Sequence, residues 1–324
     1  MNFDRRTLLS FLAATAAAPL AAAERVETAR VVLGVSAGSM VDNIARQVAE
    51  ILRPAYAAST FVENKTGAGG IMAVSYLKTL PRDGSTIYVG VSSPLTVYPV
   101  TYKKLAYDPD KDLVAVGSLG SFDLALAVGP MVPTSVQDLR GYFEWCKGNP
   151  DQAAFGSPGA GSMPHFVGSM SARTAGVELR HVPYRGPGPA VLDLVGGNVS
   201  AVVVPLVDLT EFADHGKLRI LGTTGSTRSR FVPKVPTFAE QGFGEYAMSV
   251  WIAVFVPAGT PDARVQHLRT VLRTGLAQPE VQAAMGKQLQ AARWGDATEL
   301  QQDIRRERAS WKKAVDALHF TPES

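Results

Sequence analysis

Short apolar runs alternate with longer amphipathic stretches along most of this chain of 324 residues. The first such run, Val31–Leu33, predicts a buried strand. Beyond Asp42, apolar residues recur three or four positions apart, which is typical of an amphipathic helix. These residues are Ile44, Val48, Ile51 and Leu52. This part of the chain is therefore predicted to be a strand followed by a helix.

The same alternation continues along the sequence. Further strands are predicted over 60–62, 85–91, 114–119, 124–128, 153–155, 179–184, 199–205, 218–223 and 249–256. Among the intervening helices, one is predicted to be capped by Thr134 in a capping box with Gln137 and to end near Lys147. Another is predicted to start near Pro164. Strands that alternate with helices predict the α/β class with mostly parallel sheets.

The first 23 residues have the pattern of an export signal. Arg5 and Arg6 precede an apolar run over 10–20, and Ala21–Ala23 form a small-residue cleavage site. The arginine pair resembles a twin-arginine signal, with Sec export as the alternative. We expect cleavage after Ala23, which places the mature chain outside the cytoplasm. No later stretch is long and apolar enough to predict a membrane-spanning helix.

Composition narrows the possible functions. The mature length suggests two domains. The formal net charge falls from +3 to +2 without the export signal, and no block of like charge indicates nucleic acid or an anionic membrane as a partner. Cys146 is the single cysteine, which excludes an intrachain disulfide. It lies on an apolar helical stripe and is predicted to be a buried packing residue.

A small-residue turn joins the first strand to the first helix. Such a turn can aim the unpaired N–H groups of a helix N-terminus at an anion, and the helix dipole adds partial positive charge there. An ordinary strand-to-helix loop is the alternative. The candidate anion-binding residues are Val35, Ser36, Ala37, Gly38 and Ser39.

A second glycine-rich turn, over 156–162, also follows a predicted strand and precedes a helix. Ser162 is predicted to cap that helix, with Pro164 in its first turn. The turn nearly matches a phosphate-binding P-loop, but Ser162 stands where the lysine is required, which argues against nucleoside triphosphates. The candidates here are Ser157, Gly161, Ser162 and His165, with a plain capped turn as the alternative. A third turn, over 67–70, is interpreted as close packing.

Two segments of the sequence offer alternatives to a binding function, a serine-hydrolase site and a calcium site. The run from Gly34 to Gly38 fits the G-x-S-x-G nucleophile elbow of serine hydrolases, with Ser36 as nucleophile. However, it lies on the first strand of the mature chain, where no earlier loop exists to complete an oxyanion hole, and no acid is placed to orient a histidine. The segment from Asp108 starts like an EF-hand loop, but Leu113 and Leu119 replace the required glycine and glutamate. We therefore expect no catalytic residues, no metal and no cofactor.

Several segments together resemble the Bug-type solute-binding proteins of tripartite tricarboxylate transporters. Residues 62–70 resemble the V-E-N-K-P-G-A-G-G of that family, with Thr66 in place of proline, and Asp42 and Arg46 match its D-x-x-A-R. The other matching segments follow in the family's order. They are Y-D-P-D-K-D at 107–112, 156–165, H-V-P-Y-R-G at 181–186, G-K-L-R at 216–219, V-P-T-F-A-E at 235–240 and P-A-G-T-P at 257–261.

The resemblance implies a periplasmic protein of two α/β lobes, the type II or flytrap architecture, which closes over its ligand. Lobe 1 would comprise residues 24–122 and the return segment 250–324, and lobe 2 residues 123–249. The family grips a ligand carboxylate between one loop from each lobe, and the matching loops here are 35–39 and 157–165. Ser92 and Ser93 match the polar strand end beneath the first loop.

The chain departs from the family pattern in ways that bear on the ligand. Its first loop lacks the usual proline and adjacent glycines. Members that bind amino acids tend to carry an aspartate where Val204 and Pro205 stand here. We therefore expect a carboxylate without an amine, either a dicarboxylate or an aromatic carboxylate, on an apolar floor that includes Val204. The implied partners are the membrane subunits of a transporter, a sensory role being the alternative, and the protein is expected to act as a monomer.

Overall fold

The computed structural model describes residues 25–289 and 291–317 and shows a mixed α/β fold. The strands are β1 Val26–Leu33, β2 Ala57–Asn64, β3 Thr86–Val91, β4 Leu113–Val128, β5 Ala154–Ser157, β6 Arg180–Pro183, β7 Ala201–Pro205, β8 Arg219–Thr223, β9 Ser249–Pro257 and β10 Ala291–Asp296. The predicted export signal lies outside the described residues.

Twelve helices are present among the described residues. They are α1 Met40–Ala55, α2 Ile71–Leu77, α3 Ser93–Thr96, α4 Tyr98–Thr101, α5 Pro109–Asp112, α6 Leu139–Gly148, α7 Met163–Thr174, α8 Pro187–Val195, α9 Val207–Asp214, α10 Asp262–Leu276, α11 Pro279–Gly286 and α12 Ala297–Ala317. Short 3₁₀ turns lie at Ala68–Gly70, Pro150–Gln152, Ala239–Gln241 and Gly244–Tyr246. None of the helices in the described part of the chain is long and apolar enough to cross a membrane.

The strands follow one another in the order β2-β1-β3-β9-β4-β7-β5-β6, and β8 and β10 also pair with β4. The pairs at the two ends of this order are parallel, as the sequence predicted. The pairs in the middle are antiparallel, so the prediction of mostly parallel sheets was wrong there. The reason is topological: β4 leads the chain out of the first half of the sheet and β9 leads it back, so they run in opposite directions.

Strand β4 replaces the two strands predicted over 114–119 and 124–128. Its register against β9 shifts near Gly117 and Gly120, which are bulges that bend the strand without ending it. Residues up to Asp123 pair with β9, and residues from Leu124 on pair with β7. One strand therefore spans both halves of the sheet, and the change of partner falls beside the predicted lobe boundary. The lobe limits themselves stay a prediction.

Helix α6 begins later than predicted. Its N-cap is Asp138, whose Oδ1 accepts from the Gly141 N–H at 2.7 Å, so the assignment of Thr134 as the cap was wrong. An aspartate is at least as good a cap as a threonine, and it stands closer to the apolar stripe that packs inward. Cys146 on that stripe is buried, and burial raises the pKa of its thiol to about 11, which fits the predicted packing role.

Candidate functional site

A cavity of about 370 Å³ lies where the two halves of the sheet meet. Its wall includes Val35, Ser39, Ser93 and Ser162 from the predicted site. Phe122 and Val250, from the paired crossing strands, also line it. The remaining predicted residues surround the cavity without lining it: Ser36, Ala37, Gly38, Ser92, Ser157, Gly161, His165 and Val204.

The first loop is shaped by bonds to its own helix. Ser39 is the N-cap of α1: its Oγ accepts from the Asp42 N–H and donates to Ser36 O at 2.8 Å. The Gly38 N–H in turn donates to Asp42 Oδ2 at 3.0 Å. Ser39 and Gly38 therefore fix the conformation of the loop, and the Ser39 hydroxyl and the Gly38 N–H are already paired within the protein.

Asp42 anchors this loop from beneath. Burial acts to raise the pKa of Asp42, but hydrogen bonds from Asn64, Gly38 and Arg46 outweigh it and lower that pKa. Asn64 also donates to Val35 O at 3.0 Å. Two of the motifs that resemble the family thus have a structural explanation. Asn64 from one motif and Arg46 from the other both bond to the Asp42 carboxylate, which holds the loop in place.

The second loop is built in the same way at α7. Ser162 is the N-cap, as predicted, and its Oγ also donates to Gly159 O at 2.6 Å. The Gly161 N–H donates to His165 Nδ1 at 3.0 Å, and the Ser157 hydroxyl is 2.8 Å from His181 Nε2. His165 therefore holds the loop in place rather than facing the cavity.

Three hydrogen bonds at the edge of the cavity join segments that are far apart in sequence. The Met40 N–H donates to Asp208 Oδ1, the Met163 N–H to Ser93 Oγ, and the Tyr102 hydroxyl to Ala160 O, each at 3.2 Å. The first two donors belong to the first turns of α1 and α7. The first turns of both helices thus contact a distant segment of the chain, and each already holds a protein oxygen.

The family model for the tripartite tricarboxylate transporter family receptor, TctC, matches residues 44–320. The chain belongs to the TctC family. It is 32% identical over 252 residues to the protein BugT of Bordetella pertussis strain Tohama I, an alignment that covers 78% of this chain and 77% of BugT. The resemblance seen in the sequence is thereby confirmed.

Solved structures extend the match to the fold of this TctC-family chain. The periplasmic binding protein BugD aligns with a TM-score of 0.82 and 27% identity, over 90% of this chain and 97% of BugD. An R. palustris protein solved with adipate gives 0.83 and 26%, over 90% and 96%. MatC from Rhodopseudomonas palustris with bound malate gives 0.80 and 27%, over 90% and 99%. The chain therefore has the α/β fold of the periplasmic binding proteins and is a periplasmic solute-binding protein of this family.

Two stacked histidines lie beneath the second loop of this TctC-family protein. The ring centroids of His165 and His181 are 3.7 Å apart, with the planes tilted by 17°. Burial lowers the pKa of His165 to about 4, and burial together with the neighbouring His165 lowers that of His181 to about 3. Both rings are therefore neutral near pH 7, and they bond to Gly161 and Ser157 rather than to Ser36. This arrangement gives no support to the hydrolase alternative.

Other cavity residues were missed as site residues at the sequence level. The H-V-P-Y-R-G segment supported the family resemblance, yet its residues Pro183, Tyr184 and Arg185 also line the cavity. Tyr98 lines it as well, and its hydroxyl donates to Gly69 O at 2.9 Å. A pattern of aromatic and basic residues after a short strand could have drawn attention to the first group.

A carboxylate that was not among the predicted site residues also lies in the cavity wall. At the end of β7, where the family pattern drew attention, Val204 is buried in the core and Pro205 lines the cavity. Asp208, in the first turn of α9, reaches the same wall. Burial raises the pKa of Asp208 to about 6, against the effect of the Met40 hydrogen bond. The wall therefore combines the apolar end of β7 with one buried carboxylate.

Proposed function

We propose that this periplasmic protein captures a small organic carboxylate in the cavity described above and delivers it to the membrane subunits of a tripartite tricarboxylate-type transporter. The observation that carries the proposal is that the N-cap residues of α1 and α7, Ser39 and Ser162, both line the cavity. Each N-terminus carries partial positive charge, so an anion between them is stabilised by both.

The charge and shape of the wall support a carboxylate as the anion. Arg185 is the cationic side chain among the described lining residues, and it is exposed at the cavity wall. Carboxylates gain charge-assisted hydrogen bonds from such donors in a water-poor site. Two structures that share the fold were solved with adipate and with malate, which are carboxylates of a size that suits this cavity.

The predicted residues divide into two roles in this proposal. Val35, Ser39, Ser93 and Ser162 line the cavity and would face the ligand. The others would act by shaping the two loops and the floor: Ser36, Ala37, Gly38, Ser92, Ser157, Gly161, His165 and Val204. Val204 and Pro205, in place of the aspartate of amino-acid-binding members, favour a non-amino dicarboxylate or an aromatic carboxylate.

The test is a thermal-shift screen of the mature protein against mono-, di- and tricarboxylates, with amino acids and phosphate esters included. A ligand that binds only the folded state raises the melting temperature by mass action. A shift with one carboxylate class supports the proposal and names the ligand class. A shift only with amino acids or phosphate esters, or with none of the compounds, contradicts it.

Delivery and export are tested separately. Membrane subunits of a tripartite transporter are reconstituted and supplied with the carboxylate identified in the screen. They should take up this carboxylate only when the binding protein is present.

We also propose export by the twin-arginine route and a monomeric state. Replacing Arg5 and Arg6 by lysine should then retain the precursor in the cytoplasm, and light scattering should give the mass of one chain.

A further inference from the structure

Asp208 lies in the cavity wall, and the carboxylate site described above gives it no role. Its Oδ1 accepts from the Met40 N–H at 3.2 Å, across a gap of 168 residues in sequence. Its Oδ2 is shielded from solvent and has no hydrogen-bond partner among the described residues. A buried acceptor without a donor costs free energy, so such an atom calls for a partner.

Three residues that line the cavity together with Asp208 have side chains that cannot supply that partner. Val41 follows Met40 on α1, and Pro205 pairs with Leu124 where β7 meets β4. All three line the cavity, and none has a polar hydrogen on its side chain. A group that fills the cavity can supply the donor once the side chain of Asp208 turns Oδ2 toward it.

We propose that Asp208 is a specificity residue that selects carboxylates carrying a hydroxyl group. The Met40 N–H retains one oxygen of the Asp208 carboxylate, and a small rotation about the Cβ–Cγ bond presents the other oxygen to the ligand. This inference rests on the proposed function, because the ligand's own carboxylate is taken to lie at the helix N-termini.

A hydroxyl group fits this wall better than an ammonium group does. One unpaired acceptor matches the one O–H of a hydroxyl, whereas an ammonium has three N–H groups to satisfy. Val41, Leu124 and Pro205 offer no further side-chain acceptor beside Asp208. A carboxylate that lacks a donor leaves Oδ2 unpaired and binds less tightly for that reason.

The substitution Asp208→Asn tests the proposal because it converts an acceptor into a donor. The amide oxygen must remain toward the Met40 N–H, so the NH₂ group takes the place of Oδ2. Binding is measured by calorimetry with three matched pairs, succinate and malate, glutarate and 2-hydroxyglutarate, and phenylacetate and mandelate. We expect the wild-type protein to prefer the hydroxylated member of a bound pair by about tenfold, and Asp208→Asn to abolish or reverse that preference.

Asp214→Asn is the matched control, because Asp214 ends the same helix α9 and is exposed. It removes the same charge and should keep the wild-type preference. A merely structural role of Asp208 would weaken both members of a pair equally, which overturns the inference. Equal binding of both members by the wild-type protein, or tighter binding of aspartate or glutamate than of malate or 2-hydroxyglutarate, overturns it too, while the proposed carboxylate binding can stand. Absence of binding for every carboxylate overturns the proposed function itself.

Discussion

At the residue scale, the hydroxyl of Ser162 shows how a helix cap can shape a cavity wall while its own polar groups are paired within the protein. Its proton goes to Gly159 O, and its lone pair accepts from the His165 N–H. Both bonds tie the first turn of α7 to the loop that precedes it. Ser162 lines the cavity, so this tie also sets the shape of the wall.

Substitution of Ser162 by alanine should weaken carboxylate binding while the protein still folds. The loss of an N-cap costs about 0.5–2 kcal/mol, and the loop it shapes should lose affinity of a similar size. Calorimetry gives the affinity, and circular dichroism gives the fold. Ser171→Ala is the control, since this serine is buried on the same helix and bonds within it to Val167 O. Unchanged affinity in Ser162→Ala would remove the loop from the site.

At the element scale, α7 and β6 are linked through the stacked rings of His165 and His181. Both rings have pKa values well below that of an exposed histidine, about 4 and about 3, because they are buried. Above about pH 6.5 the rings are neutral in both the folded and the unfolded states. Below this pH, the two histidines bind protons in the unfolded chain but not in the folded protein. The contribution of the neutral histidines to stability is therefore lost as the pH falls from 6.5 toward 4.

The double variant His165→Gln with His181→Gln should therefore lose less stability on acidification than the wild-type protein. Urea unfolding at intervals from pH 7.5 to pH 4.5 gives the free energy of unfolding of both proteins. The difference between the two cancels the effect of titrating groups that they share, such as Asp208. His215→Gln, at an exposed site, serves as the control. If the double variant shows the same pH slope as the wild-type protein, the histidines do not cause acid sensitivity.

The loops 67–70 and 157–162 approach each other backbone to backbone in the wall of the cavity. A Cβ atom on Gly159 would lie 2.8 Å from the Cα of Gly69. No real Cβ comes so close to another backbone, so one loop would have to move. Glycine is needed at position 159 because the two loops could not otherwise meet.

Gly159→Ala should hold the two loops apart and weaken ligand binding. Overpacking of this kind costs typically about 1–3 kcal/mol, and this cost falls on the arrangement in which the two loops meet. Gly148→Ala is the control, because a Cβ there meets nothing within 4 Å. Affinity from calorimetry and the radius of gyration from X-ray scattering with ligand test the effect. A variant that binds and compacts like the wild-type protein would show that this contact is not part of closure.

At the scale of the whole molecule, the two halves of the sheet are held together by β4 and β9. The pairing of these two strands ends at Asp123 and Ser249, which are opposite each other in register. The Ser249 hydroxyl donates to Asp123 Oδ1 at 2.7 Å, while Asp123 Oδ2 is buried without a partner among the described residues. Burial raises the pKa of Asp123, and the Ser249 bond works against that rise.

Ser249→Ala should lower the free energy of unfolding by about 1–3 kcal/mol, because it leaves a buried carboxylate with fewer partners. The loss should shrink as the pH falls and Asp123 takes up a proton, since burial raises the pKa of this carboxyl. Chemical denaturation at a series of pH values from 7.5 downward follows this change. Ser249→Thr, which retains the hydroxyl, should restore most of the stability. If the free energy of unfolding falls as much in Ser249→Thr as in Ser249→Ala, packing is the cause and not the hydrogen bond.

Much of the fold followed from local patterns in the sequence. Helical spacing located α1, and apolar runs located most of the strands, because each depends on residues close together in the chain. The cap at Ser162 was also predictable, since a cap and its helix lie within one turn. The family motifs added the TctC assignment, which no single pattern could supply.

What the sequence could not determine depends on contacts between distant segments. Met40 and Asp208 are 168 residues apart, and Tyr102 and Ala160 are 58 apart, so no local pattern relates them. The continuity of β4 through its bulges likewise depends on its partners β7 and β9, which come later in the chain. The sequence by itself determined the elements and the family. Only the tertiary structure decided which polar groups meet at the cavity, because burial and hydrogen bonding there arise when segments far apart in the chain pack together.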